Sequence, residues 1–181
     1  MNLLDTPNGY GVISRINHWL GALLVIGLLG VGLYFNDMPR GDEKMYWLRL
    51  HSAVGVLAFL PLLFRIGWRM AVTSPQLLPQ PPVLQLATRT VHGLLLLTLA
   101  VLMVTGPFIV WSAGAPIDVF GWFELPSLTG KMPVLHEALE VVHVVASKVL
   151  LVLLGVHVLA TLKHVVVDRD DTLRRMVGGA A

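Results

Sequence analysis

Hydrophobic positions along this chain fall into four long blocks, at about residues 19–35, 53–70, 91–111 and 139–162. Each block is rich in Leu, Val and Gly and carries few charges. About 20 apolar residues is the length of α-helix that crosses the hydrocarbon core of a bilayer. A helix suits that setting because it satisfies its own backbone amides where water is absent. With their flanking turns, the blocks predict helices over about 16–35, 47–70, 89–111 and 134–165. Trp and Tyr stand near several ends, as interfacial residues do. The expectation is an all-α fold, one integral membrane four-helix bundle over residues 1–181 without internal repeats. The Pro-rich stretch Ser74–Pro82 reads as an extended connection with no room for a folded domain.

Composition strengthens this picture. Hydrophobic residues make up 55% of the 181 positions and charged ones only 13%, whereas soluble domains carry about a quarter charged residues. Mean hydropathy is +0.74. A net charge of +2 is too small to argue for nucleic acid. Cysteine is absent, which excludes disulfides, thiolate metal sites, iron–sulfur clusters and covalent haem attachment. The first block lacks the basic start and small-residue cleavage site of a signal peptide, and is expected to be retained. Arg15, Arg65, Arg69, Arg89, Lys163, Arg169, Arg174 and Arg175 lie toward one side of the bundle. Arg40, Lys44, Arg49 and Lys131 lie toward the other. The positive-inside rule therefore predicts that both termini are cytoplasmic.

Candidate chemistry rests on histidine. His143 and His157 are fourteen residues apart on the fourth helix, so both project from one face, roughly 21 Å apart along the axis. Imidazole in lipid needs a partner, and paired neutral imidazoles suit a metal. Matched by depth, His18 on the first helix faces His157, and His51 on the second faces His143. Each pair would hold one iron from opposite sides of a flat macrocycle. Zinc is the competing metal, but its structural sites favour thiolates or carboxylates nearby. His136, seven residues before His143, is an alternative outer ligand. Histidines that only stabilise packing are the bland alternative.

Arg65 falls fourteen residues after His51, on the same face at the inner level. It is a candidate partner for haem propionates, or a snorkelling interfacial arginine. Arg49 is the outer counterpart. Lys148 sits between the two histidines on another face, with a snorkelling or a quinone-side role open. Gly21, Gly27, Gly30, Gly55 and Gly155 are expected to admit flat cofactors or neighbouring helices. The run Asp168–Met176 either caps the fourth helix or solvates the tail.

The ordered set Ile16-Asn17-His18-Trp19-Leu20, Leu50-His51-Ser52-Ala53-Val54-Gly55, Arg65 and Arg69, His92-Gly93, then His143 through His157 and His164 to Asp170-Asp171-Thr172-Leu173-Arg174-Arg175-Met176 resembles the bacterial cytochrome b561 family. The likeness covers essentially the whole chain and is nearest to the small four-helix diheme members that include superoxide oxidase. It implies two b-type haems, with His18 and His157 as the inner ligands and His51 and His143 as the outer ones. It also implies a quinone site near the cytoplasmic end, at the position of His164, with His92 toward the same end. Location in the bacterial inner membrane follows from the same likeness.

Two axial histidines fill the iron's coordination sphere, which suits electron transfer and leaves no position for oxygen. The resemblance offers superoxide as the outer donor and ubiquinone as the inner acceptor. His164, near water, is the candidate proton donor for that acceptor. The outer loops mix Arg40, Lys44, Arg49 and Lys131 with Asp37, Asp42, Glu43, Asp118 and Glu124, so charge alone does not mark an anion site. A second expectation is a membrane cytochrome b subunit coupling a periplasmic redox protein to the quinone pool. Its docking surface would be Ser112–Pro133, including Phe120-Gly121-Trp122-Phe123.

Overall fold

The computed structural model describes residues 2–178. Four long helices dominate it: α1 (Val12–Asn36), α2 (Asp42–Ala71), α3 (Pro82–Ser112) and α4 (Pro133–Lys163). All four are long and apolar enough to cross a membrane. α4 continues into a π-helical turn at His164–Asp168, followed by a short α5 (Thr172–Val177). A hairpin of β1 (Ile117–Val119) and β2 (Phe123–Leu125) lies between α3 and α4. The fold is therefore all-helical apart from that hairpin.

The helices run further than their apolar blocks because their ends are set by capping chemistry. At the start of α1, the Gly11 amide donates to Asp5 Oδ1 (2.7 Å) and the Val12 amide to the Asn2 carbonyl (3.0 Å). The preceding segment thus folds back onto amides that the helix itself leaves unpaired. α2 carries Asp42 and Glu43 in its first turn and Arg69 in its last, each complementing the helix dipole. α3 and α4 open with Pro82 and Pro133, where a missing N–H costs nothing and φ is already helical. α3 consequently begins seven residues before the expected 89.

α1 packs on α2 and α3 on α4, and α2–α3 contacts join the two pairs. Ala58, Leu62 and Leu99 form the buried centre, surrounded by Leu24, Val25, Leu28, Ile66 and Met103. The outer faces remain apolar and open: Leu23 is 70% exposed, Leu60 72% and Leu159 67%. So much unbroken apolar surface would be a liability in water and is the ordinary surface of a lipid-embedded bundle.

The hairpin was not foreseen. Ile117 and Val119 are buried, and β1 packs against α2 and α3, while Asp118 points outward. Phe120 and Gly121 both have positive φ (56° and 71°). The Gly121 amide donates to Asp118 Oδ1 (3.0 Å), and the Trp122 amide donates to the Val119 carbonyl (3.0 Å). Two three-residue strands give too little alternation to read, and Phe stands where Asn or Gly usually marks such a turn.

Candidate functional site

All seven histidines are partly buried. α1 and α4 bring the rings of His18 and His157 to 6.3 Å between centres, tilted by 52°. α2 and α4 bring His51 and His143 to the same 6.3 Å, with the rings at 84°. A metal-bound imidazole nitrogen lies about 2 Å from its ion and the ring centre about 1 Å further, so two rings on one ion stand about 6 Å apart. Both pairs have that spacing. α4 makes no extensive helix packing against α1 or α2 among the described residues, so each histidine pair reaches across a gap between helices.

His92 sits differently. Its ring centre is 5.2 Å from that of His157, at 63°, which is an edge contact too close for an ion between the two. The structure thus places His92 beside the inner pair, on the α3 side. His136 is engaged elsewhere: Nδ1 donates to the Ile109 carbonyl (2.9 Å), and Nε2 lies 3.5 Å from Glu140. That ties the start of α4 to the end of α3.

The paired rings have distinct neighbours. His143 Nδ1 is 2.7 Å from the Thr105 hydroxyl. His51 Nδ1 is buried without a hydrogen-bond partner. Arg65 lies at the level of the inner pair, as its spacing from His51 predicts. Its guanidinium donates to His18 Nδ1 and to the Asn17 carbonyl, both at 3.3 Å. Gly21 makes room for this side chain, because a Cβ there would lie 2.6 Å from Arg65 Cδ. Gly27, Gly30, Gly55 and Gly155 instead face open space, so the expected close approach is seen at Gly21 alone. Two glycines that the sequence did not single out stand against the outer rings. A Cβ would lie 3.2 Å from His51 Cε1 at Gly32 and 3.5 Å from His143 Cε1 at Gly106. Their depth along α1 and α3 is the signal that could have found them.

His164 lies at the other end of α4, in the π-helical turn. Its Nδ1 is 2.7 Å from Asp170 Oδ2 and 3.2 Å from Asp168 Oδ2. Lys163 also pairs with Asp168. Asp170 accepts from the Thr172 amide (2.9 Å), and its own amide donates to the His164 carbonyl (3.1 Å). The run after α4 therefore caps that helix. Burial pushes the Asp170 carboxyl up, but hydrogen bonds from Thr172 and His164 outweigh it and hold the group below 3.8. Lys148 is exposed, away from the bundle interior.

Four long apolar helices, with imidazole pairs at two levels between them, fit a multi-pass membrane protein. Residues 9–179 match the family described as Prokaryotic cytochrome b561, and the chain belongs to that family, whose members bind b-type haem and transfer electrons in membranes. Cytochrome b561 homolog 2 of Escherichia coli (strain K12) is 34% identical over 98% of this chain and 96% of its own length. Probable superoxide oxidase CybB of Yersinia pestis is 26% identical, covering 88% of this chain and 90% of its own. Cytochrome b561 homolog 1 of Escherichia coli (strain K12) is 22% identical, covering 88% and 92%. The site fits haem: the donors are imidazoles, the rings stand one iron apart, a buried ring nitrogen has no partner, and glycine lines the ring edges.

Proposed function

We propose that residues 1–181 act as one transmembrane unit carrying electrons from superoxide, outside, to ubiquinone at the cytoplasmic side of the bacterial inner membrane. The two imidazole pairs at equal 6.3 Å spacing carry this reading. His18 and His157 would hold an inner b-type haem, and His51 and His143 an outer one. Each haem, when bound between two histidines, supplies a one-electron carrier with no open position for oxygen. Overall, two superoxide anions each give up one electron and leave as oxygen, and one ubiquinone takes two electrons and two protons.

The chain's own residues supply the rest. Arg65 donates to His18 Nδ1 in the present arrangement, so a haem on His18 Nε2 requires the guanidinium to move to another acceptor. A haem propionate would be that acceptor, since Arg suits carboxylates. His92 confines the inner ring from the α3 side. His164 has Nδ1 directed to Asp170, which leaves Nε2 to deliver a proton to the quinone. The 26% identical relative named as a probable superoxide oxidase supports superoxide as donor. A second reading, a cytochrome b subunit served by a periplasmic redox protein, is favoured by the hairpin tip, where Trp122 is 74% exposed.

Purified protein should carry two haems per chain with low-spin spectra, and should be reduced by superoxide alone and pass electrons to added ubiquinone. His143→Ala should lose one haem. His164→Ala should keep both and slow quinone reduction roughly 100-fold, the lower end of general acid effects. Fewer than two haems in the native protein sinks the reading. Reduction that needs a partner protein replaces superoxide with the second donor.

A further inference from the structure

We infer that Thr105 is a positioning residue for His143: its buried hydroxyl fixes the ring as the Nδ1-protonated tautomer and leaves the Nε2 lone pair for iron. The inference rests on the proposed role of His143 as a haem ligand. Thr105 is 5% exposed, and its Oγ1 lies 2.8 Å from the Val101 carbonyl and 2.7 Å from His143 Nδ1. A hydroxyl has one proton and two lone pairs. Its proton goes to the carbonyl one turn back, which can only accept. The oxygen then meets Nδ1 as an acceptor, and Nδ1 must carry the hydrogen. In neutral imidazole the other nitrogen, Nε2, is consequently the unprotonated one.

The arrangement follows from the register of two antiparallel helices. α3 carries buried hydroxyls at Thr98, Thr105 and Ser112, each seven residues apart. α4 carries His136, His143 and Leu150 at the same interval. A seven-residue repeat keeps a row on one face, so opposed rows meet pairwise: Ser112 lies near His136 at 3.4 Å and Thr105 at His143. Only the middle pair is a short bond. Thr98 bonds back to Leu94 in the same way, but the register sets it level with Leu150, which has no polar atom. His136 sends Nδ1–H to the Ile109 carbonyl instead. Thr105 alone therefore combines a committed proton with a facing ring nitrogen that the proposed chemistry uses.

An acceptor on the distal nitrogen raises the basicity of the ligating one and fixes ring orientation. Thr105 gives His143 this support, whereas His51 Nδ1, across from it, has no side-chain partner. Losing the support should favour the ferrous state, raise the outer haem's potential and free the imidazole to rotate about its Cβ–Cγ bond.

The test compares full-length native protein with Thr105→Val, Thr105→Ser and His143→Ala, reading haem content, low-spin paramagnetic resonance and redox titration of each haem. Valine keeps the shape and removes the oxygen. Thr105→Val should bind the outer haem about 10- to 100-fold less tightly, shift its g-values and raise its potential. A tenfold loss confined to the ferric form corresponds to about 59 mV. Thr105→Ser should restore all three readouts, and the unchanged inner haem reports the fold in every variant. Should valine not accumulate, Thr105→Ala takes its place. If His143→Ala loses a haem while Thr105→Val matches the native protein in potential, signal and affinity, the positioning role is overturned. A His143→Ala protein that keeps both haems overturns the ligand assignment itself, and Thr105's role with it.

Discussion

An imidazole among lipid tails needs something for each ring nitrogen, and the histidines divide by what they find. His136 has a carbonyl and a carboxylate, and His164 has two carboxylates. His143 has a hydroxyl, and His51 leaves Nδ1 empty. His18 Nδ1 has the Arg65 guanidinium, and His164 keeps Nε2 open because both of its carboxylates meet Nδ1. Residue type and depth were legible in the sequence, and they paired His18 with His157 and His51 with His143. Partners such as Thr105 were not, because they depend on the rotational setting of a neighbouring helix. Asp170 gives the pH dependence at this scale. Its folded pKa is depressed below 3.8, so its contribution is complete above that value and lost as pH falls through the lower folded one. The α5 segment, where Met176 accepts from Trp19 Nε1 at 3.1 Å, should therefore undock in acid. The emission of Trp19, isolated as the difference from a Trp19→Phe protein, should change in that window for the native chain. With Asp170→Asn the acid step should be absent; a step of equal size there would assign it to another carboxyl.

The four apolar blocks made the helices plain, but not their ends. Hydropathy marks the part of a helix that lipid touches, whereas Pro82, Pro133, Asp42 and the folded-back segment before Val12 decide where each begins. The hairpin escaped notice because Ile117 and Val119 offer a single period of alternation. Helix faces also grade the glycines. Gly106 looks onto His143 Cε1 at 3.5 Å from an added Cβ, an ordinary contact, whereas Gly32 looks onto His51 Cε1 at 3.2 Å. Alanine in a helix avoids the backbone entropy cost of glycine, about 0.5–1 kcal/mol. Gly106→Ala should thus be neutral or slightly stabilising in a thermal melt, with the haem spectrum unchanged. Gly32→Ala must move the His51 ring by a few tenths of an ångström, and should shift the low-spin signal of one haem only. Equal spectra from the two variants would mean that the His51 ring is not held where α1 places it.

At the scale of the whole molecule, the consequence that matters is sidedness. Four crossings return a chain to the side where it started, so both termini share a side whichever way the bundle is inserted. Arg65 and Arg69 toward the end of α2, Arg89 toward the start of α3 and the arginines of the C-terminal segment predict that this side is the cytoplasm. On the proposed function, that choice decides which imidazole pair meets the donor and on which side of the membrane His164 lies. The native chain has no cysteine, so single cysteines report accessibility without background. Leu128, 69% exposed between β2 and α4, and Thr73, exposed after α2, lie on opposite sides of the bundle. In spheroplasts, a membrane-impermeant thiol reagent should label Leu128→Cys and reach Thr73→Cys only after lysis. The reverse pattern would put the Trp122 hairpin in the cytoplasm and His164 outside. Superoxide formed outside would then meet the His164 end, and a quinone reduced there would draw its protons from the periplasm. On the proposed function, sidedness thus determines which face of the membrane each histidine pair serves, and the labelling experiment reads it without reference to haem.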